Sequence, residues 1–207
     1  MSGHIEDFRF VRVFGQAIKQ KVKRCAWIKD PLMMRYHDEE WGVPVHDDRK
    51  QFEFLVLESA QAGLSWAIVL RKRENYRKAF AGFDPVKVAK FGPAEGRKLS
   101  KDTGIIRNRL KIEAAINNAK RFLEVQKEHA SFSEYIWRFV DGKPKTNRWK
   151  SLKQLPVSTK LSDTLSLDLK RRGFKFLGTI VLYSHMQATG MVNDHVTTCF
   201  RYRELAD

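Results

Sequence analysis

The sequence predicts an all-α fold, and two observations carry that prediction. Helix-capping residues recur ahead of apolar residues at helical spacing. No segment, in contrast, shows sustained alternation with a period of two, and no Asn-Gly or Asp-Gly turn joins two such segments. With 207 residues, 43% of them hydrophobic, the chain is long enough for one domain or for two small lobes around a shared core.

The first strong helix signals lie between residues 47 and 80. Asp47 or Asp48 can cap a helix that ends at Gly63. Ser65 can cap the next helix, over residues 66–80. Two consecutive helices are therefore expected here.

Further helices are predicted downstream. Asp84 followed by Pro85 is typical of an N-cap and the first helical position, and Ser162 is expected to open a helix that ends before Gly173. Residues 178–190 are ambiguous, because their β-branched start also suits a strand. An apolar stripe at helical spacing predicts one long helix between these: Ile112, Ile116, Ala119 and Leu123.

Three segments are expected along the chain. Residues 1–24 read as a basic extension, residues 25–200 as the main domain and residues 201–207 as a short tail. The start has neither the apolar region nor the cleavage site of a secretory signal, and no stretch is as apolar as a membrane span. We therefore expect a cytoplasmic protein with no membrane contact.

The charge favours a polyanionic partner. Lys and Arg number 39 against 24 Asp and Glu, a formal net charge of +15. This excess favours nucleic acid over the alternative of a soluble basic protein with no such partner. The 12% of aromatic residues do not decide the matter, since most should be core.

Four residues have the types of a metal site. His195 and Cys199 stand four apart, and on a helix they would share a face, while Cys25 and His37 lie far upstream. Together they would make a Cys2His2 set, which is typical of structural zinc. The alternative is two buried free cysteines with two ordinary histidines, and spacing alone leaves both interpretations open.

Residues 98–115 predict a helix, a tight turn and a second helix. A turn that contains Gly104 and feeds a helix can present backbone N–H groups to a phosphate. Arg107, Arg109 and Lys111 follow at once. The alternative is an ordinary interhelical turn in which the glycine caps the first helix.

A second basic cluster surrounds Gly173. This cluster either forms an edge that contacts phosphates or places positive charge at the negative end of a helix dipole. Its members are Lys170, Arg171, Arg172 and Lys175.

Glu58 is the only formal charge in the apolar run of residues 54–70. On a helix it shares a face with Gln61, and Trp66 follows just downstream. A carboxylate in such a run either points outward into solvent or points inward to a specific partner, since burying an unpaired charge is costly. A ligand that offers hydrogen-bond donors beside an aromatic ring would explain an inward position.

These features occur together in a known family. The chain resembles the bacterial DNA-3-methyladenine glycosylase I family from Cys25 to about Phe200. The resemblance is carried by the stretches RCAWIKDP, YHDEEWGVPVHDD, LESAQAGLSW, VLRKRENYRKAFAGFDPVKVA, DTGIIRNRLKI, LKRRGFKFLGT and GMVNDHV.

The resemblance implies a helix-hairpin-helix glycosylase fold, with two helical lobes and a cleft between them. It also implies hydrolysis of the N-glycosidic bond of 3-methyladenine in alkylated DNA, which leaves an abasic site. A structural Zn²⁺ is implied that ties the chain ends together through Cys25, His37, His195 and Cys199. The partners implied are double-stranded alkylated DNA and free 3-methyladenine as the product; we expect a monomer.

The resemblance also assigns the base pocket. Glu58 matches the carboxylate that hydrogen-bonds the flipped base, Trp66 matches the stacking indole, and Tyr36 and Trp41 match aromatic pocket positions. Met33 stands where the family commonly has a tyrosine, which alters stacking on that side.

Other assignments are hypotheses of the sequence. Gln61 is expected to join the substrate site, and Leu64 either plugs the gap left by the flipped base or is a core leucine. Leu110 stands where the family motif often has glycine, so the backbone there is expected to approach DNA less closely. No catalytic Asp follows the hairpin, so Glu58 is the one catalytic residue named and no general base is assigned.

Two other functions compete with this one. A non-catalytic DNA-binding protein would share the charge, the hairpin and the metal residues, but it would not need Glu58 and Trp66. An RNA-binding protein would share only the charge.

Overall fold

The computed structural model describes residues 8–13 and 16–206. The α-helices of this part are α1 Pro31–Glu39, α2 Asp48–Gln61, α3 Trp66–Ala79, α4 Pro85–Val88, α5 Pro93–Lys101, α6 Arg109–His129, α7 Phe132–Trp137, α8 Lys160–Arg171, α9 Thr179–Ala188 and α10 Phe200–Glu204. Short 3-10 turns cover Ala81–Phe83, Arg138–Val140 and Leu152–Gln154. The strands are β1 Phe8–Val13, β2 Gln16–Lys21, β3 Lys145–Thr146 and β4 Val192–Asn193.

Local capping chemistry places most helix starts where the sequence predicts them. Asp47 accepts from the Lys50 amide and begins α2, and Asp84 accepts from the amide of Val86 ahead of α4. Ser65 stands at the N-cap of α3 but makes no side-chain cap bond. The ambiguous segment 178–190 contains helix α9.

Two details of the helix predictions are wrong. Helix α8 begins at Lys160 with Thr159 as its cap, and Ser162 completes the reciprocal capping pair from inside the helix. In α6, Leu123 is only half-buried, and the neighbouring Phe122 lies in the core instead. The buried positions of α6 include Ala115, Asn118, Phe122 and Val125, so the buried face is centred to one side of the predicted stripe, and Leu123 lies at its edge.

The all-α prediction also needs correction, although the fold is predominantly helical. Strands β1 and β2 pair antiparallel, with Phe8 opposite Lys21 and Val13 opposite Gln16. β3 and β4 form a two-residue parallel pair. The alternation in residues 8–13 breaks at Val11, so a search for a strict period of two does not find the first strand.

Helix α2 is the centre of the core. Every residue from 51 to 60 is buried, and the helix packs against α3, α6, α7 and α9. This all-round burial explains why the run around Glu58 is so poor in charge. One apolar cluster lies around α6 to α9, and a smaller one gathers around Cys25, Tyr36 and Trp41.

Among the described residues, no helix has the combination of length and apolar character that crossing a bilayer requires.

Candidate functional site

A cavity of about 260 Å³ lies where α1, α2, α3 and α9 meet. It brings together residues that are far apart in sequence. Its walls are Trp27, Met33, Tyr36, Trp41, Glu58, Gln61, Trp66, Leu155, Ser184 and Gln187. All five residues that the sequence analysis assigns to substrate binding are in this set, together with Met33.

The Glu58 carboxyl group lies in the cavity wall near the end of α2. It is 4% exposed, and within residues 8–13 and 16–206 it has no hydrogen-bond donor or charged partner. Burial without a charged partner raises the pKa of Glu58 to about 8. Glu58 therefore does not adopt the outward, solvated position that is common for a lone glutamate. Its carboxyl group can pair with a ligand that offers hydrogen-bond donors or positive charge.

Aromatic rings form the other walls. The Tyr36 and Trp66 ring centroids are 5.3 Å apart, with the ring planes tilted. The Trp27 and Trp41 ring centroids are 5.2 Å apart, with the ring planes near-perpendicular. Burial, and then the charge of Glu58, raise the pKa of the Tyr36 hydroxyl well above its usual range. The hydroxyl therefore stays protonated and can act as a donor.

Trp27 is a wall residue that the sequence analysis did not assign. It lies in the stretch RCAWIKDP, two residues after Cys25, so its position in a recognised motif was the available signal. The Nε1 atoms of Trp27 and Trp66 are buried and have no hydrogen-bond partner in the described part of the chain. Unpaired buried donors are uncommon in folded proteins, and they mark this cavity as unusual.

The four metal-type residues converge beside the cavity. One potential ligand atom from each of Cys25, His37, His195 and Cys199 lies within 4.8 Å of all the others, and all four residues are buried. The Cys199 Sγ atom is 3.4 Å from His37 Nε2 and 3.5 Å from His195 Nδ1. This cluster could hold a metal ion, and its ligand types are those of a closed four-coordinate site.

Hydrogen bonds on the outside of the cluster orient both imidazoles. His37 Nδ1 is 2.7 Å from Asp38 Oδ1, and Arg24 donates to the same carboxylate. His195 Nε2 is 3.0 Å from the Trp41 carbonyl oxygen. Each ring therefore turns its other nitrogen towards the cysteines, which is the arrangement that metal-binding histidines use.

The route by which His195 and Cys199 converge differs from the prediction. They do not lie on one helix: residues 194–199 form a turn, and Cys199 precedes α10 as its N-cap. The Cys199 amide donates to the Val196 carbonyl at 2.7 Å, which folds the segment back on itself. A turn can bring residues four apart together as a helix does, so spacing alone did not distinguish the two.

The comparisons with known proteins agree with this geometry. A family model described as methyladenine glycosylase matches residues 27–202. The DNA-3-methyladenine glycosylase 1 of Escherichia coli strain K12 is 50% identical over 182 residues, which are 87% of this chain and 97% of that protein.

Solved structures match as well. A crystal structure of a 3-methyladenine DNA glycosylase I has a TM-score of 0.84 at 51% identity, covering 86% of this chain and 98% of that one. A variant of such a glycosylase in complex with 3-methyladenine has a TM-score of 0.83 at 37% identity, covering 86% and 96% of the two chains.

The chain belongs to the methyladenine glycosylase family. The enzyme class expected from the resemblance, a glycosylase of DNA base-excision repair, is thereby confirmed. The matched residues begin at Trp27, so the strands β1 and β2 lie outside the family match.

In this glycosylase, side chains of α3 contact and support the turn between α5 and α6. The Gly104 amide donates to the Asp102 side chain at 2.7 Å, and Lys72 donates to the Thr103 carbonyl at 2.9 Å. A Cβ atom at Gly104 would lie 3.1 Å from the side chain of Asn75, so the close approach of α3 favours glycine. The Gly104 amide is thus paired within the turn, contrary to the expectation of unpaired N–H groups.

The predicted DNA-contacting cations differ in whether their charge is exposed to solvent or paired within the protein. Arg107 and Arg109 are exposed, the second one in a surface ion pair with Glu113. Lys111 instead donates to the carbonyls of Ala60 and Ala62 at the end of α2. Lys111 therefore provides hydrogen-bond donors for carbonyls at the end of a helix. This role cannot be seen in the sequence.

Arg172 also has a structural role. It donates to Asp168 at 2.9 Å and to Glu128 at 2.6 Å, and its guanidinium lies over the Tyr135 ring. The exposed cations of this edge are Lys170, Arg171 and Lys175. Leu64, between α2 and α3, is 40% exposed, so it is not the core leucine of the alternative interpretation.

Proposed function

We propose that this chain excises 3-methyladenine from alkylated double-stranded DNA and leaves an abasic site, with the cavity around Glu58 as the base-binding pocket. The observation that carries the proposal is a buried, unpaired carboxyl group among aromatic walls in a member of this family. The substrate base is flipped out of the duplex to reach the pocket.

Glu58 recognises the flipped base. Methylation at N3 makes the purine in DNA cationic and therefore a good leaving group, so the enzyme does not have to drive a difficult protonation. A positive charge beside Glu58 favours its ionised form, and the carboxylate then accepts hydrogen bonds from the exocyclic amine. Its catalytic role is electrostatic, because it stabilises the cationic base in a water-poor site.

The other walls position the base. Trp66 and Tyr36 provide ring faces, and Trp41 and Gln61 complete the enclosure. Met33 replaces an aromatic ring on its side with a flexible thioether, which can still contact the base. The exposed Leu64 enters the space that the flipped base leaves in the duplex.

The metal centre holds structural Zn²⁺. Cys25, His37, His195 and Cys199 supply four protein ligands, which leave no open position for a catalytic water. The ion would stabilise the fold by joining Cys25 and helix α1, which carries His37, to the segment before α10.

DNA is bound without sequence-specific contacts. Helices α5 and α6 with their turn act as a helix-hairpin-helix motif, and the cleft between two helical lobes opens beside it. Arg107 and Arg109 on one side, and Lys170, Arg171 and Lys175 on the other, contact phosphates. In the N-terminal extension, exposed Lys19 and Lys21 add positive charge a few residues before the wall residue Trp27.

Release of the base tests this proposal. Purified protein is incubated with DNA methylated by an alkylating agent, and the released bases are separated by chromatography. We expect 3-methyladenine to appear with intact DNA strands, and an absence of release from protein that binds the DNA would favour the non-catalytic alternative.

A further inference from the structure

Asp194 is a buried carboxylate that accepts four hydrogen bonds, and one of its donors belongs to the base cavity. Asp194 is 1% exposed. Its Oδ1 accepts from Asn147 Nδ2 at 2.7 Å and from Trp149 Nε1 at 2.8 Å. Its Oδ2 accepts from the Tyr183 hydroxyl at 2.6 Å and from Gln187 Nε2 at 2.8 Å.

This network fixes which way the Gln187 amide points. Because Asp194 is an acceptor, the amide must turn its nitrogen towards the carboxylate, and its carbonyl Oε1 then points the other way. Gln187 lines the cavity, and its side-chain hydrogen bond within the described part of the chain is made by Nε2, which leaves Oε1 without a donor there. The side chain is therefore an oriented acceptor with a free lone pair at the wall of the base pocket.

We propose that Gln187 is a second acceptor for the flipped base, held in that orientation by Asp194, and that the pair contributes to selecting amino-purines over oxo-purines. The inference rests on the proposed function. Two acceptors, Glu58 and Gln187 Oε1, match the two N–H groups of an exocyclic amine. An oxo-purine would place its carbonyl oxygen against one of them and leave lone pairs facing each other.

Gln187→Met tests the acceptor directly. Methionine has a similar length and no amide, so the acceptor disappears while the wall remains filled. We expect binding of free 3-methyladenine to weaken about three- to tenfold, the range of one neutral hydrogen bond. Release of 3-methylguanine from methylated DNA should fall less than release of 3-methyladenine.

Asp194→Asn tests the orientation. Trp149 Nε1 is a donor only, so the oxygen of an asparagine at this position must stay beside it. The new amide nitrogen then faces Gln187, whose amide must turn over to accept from it. The cavity would gain a donor where it had an acceptor, and the ratio of 3-methyladenine to 3-methylguanine release should fall further than in Gln187→Met.

Asn147→Ala is the matched control, because it removes one donor to Asp194 without touching the cavity. It should leave the ratio of the two bases unchanged, even if the melting temperature falls. An equal loss for both bases in Gln187→Met, in step with the loss of melting temperature, would overturn the inference. Wild-type protein that releases neither base would instead contradict the proposed function itself. If Asp194→Asn does not fold, Gln187→Met and its control decide the matter alone.

Discussion

Two buried carboxyl groups on helix α2 show how the environment sets the role of a residue. Glu53 is 2% exposed and lies 2.8 Å from both Arg73 and Arg77, so its charge is compensated. Glu58, five residues later, is also buried and has no such partner within the described residues. The sequence shows both as acidic residues in apolar surroundings, but only the fold distinguishes the satisfied group from the one that a ligand must satisfy.

The unpaired state of Glu58 has a consequence for stability. In the folded, ligand-free protein its pKa is raised to about 8 by burial, whereas the unfolded chain has the ordinary value. The folded state therefore keeps a proton that the unfolded state releases, and this contribution to stability is lost as the pH rises towards 8. We expect the free energy of unfolding to fall by up to about 1.4 kcal/mol per pH unit from this group. Urea unfolding of wild type and Glu58→Gln between pH 5 and 8 measures it, and identical slopes in the two proteins would contradict the raised pKa.

Among the structural elements, two helix starts with a local cause were predictable. Caps such as Asp47 and Asp84 act within three residues, and the starts of α2 and α4 are correct. The roles of Lys111 and Arg172 were not predictable, because each depends on a partner distant in sequence: the Ala62 carbonyl for Lys111 and Glu128 for Arg172, which also pairs with Asp168 on its own helix. Whether a cation is free or paired depends on tertiary contacts, and a sequence shows only that it is present.

A comparison of Arg107 with Arg172 tests this distinction. We expect Arg107→Gln to weaken binding to undamaged DNA about equally on all sequences and to reduce the salt slope by about one, since an exposed phosphate contact is lost. Arg172→Gln should mainly lower the melting temperature, because it leaves Glu128 and Asp168 without their partner. Binding titrations at several salt concentrations and thermal unfolding separate the two, and a larger loss of salt slope in Arg172→Gln would reverse the assignment.

At the scale of the whole molecule, the cluster of Cys25, His37, His195 and Cys199 brings together residues from near the two ends of the chain and also supports the cavity. The His37 ring lies 5.3 Å from that of Trp27, and the His195 ring lies 4.5 Å from that of Trp41. Two walls of the cavity therefore pack against the two histidines of this cluster. The convergence of Cys25 and His37 with residues about 160 positions later required the fold, although the residue types suggested it.

Removal of the metal should therefore affect both stability and the pocket. We expect about one zinc per chain by metal analysis of purified protein. Cys199→Ala should lose zinc, unfold at a lower temperature and bind free 3-methyladenine less well, because the tryptophan walls lose their support. Well-folded wild-type protein without metal would refute the zinc assignment.

Binding of free 3-methyladenine to Glu58→Gln tests the central claim most directly, with Glu53→Gln as a control that changes a paired carboxylate on the same helix. Calorimetry or NMR titration gives the affinities, and thermal unfolding shows that each variant is folded. Loss of a charged hydrogen-bond partner predicts a loss of about 1.5–3 kcal/mol in Glu58→Gln, roughly tenfold to a hundredfold in affinity. Glu53→Gln should lose stability and keep the affinity of wild type. Wild-type affinity in folded Glu58→Gln would contradict the role of Glu58 as the acceptor of the flipped base.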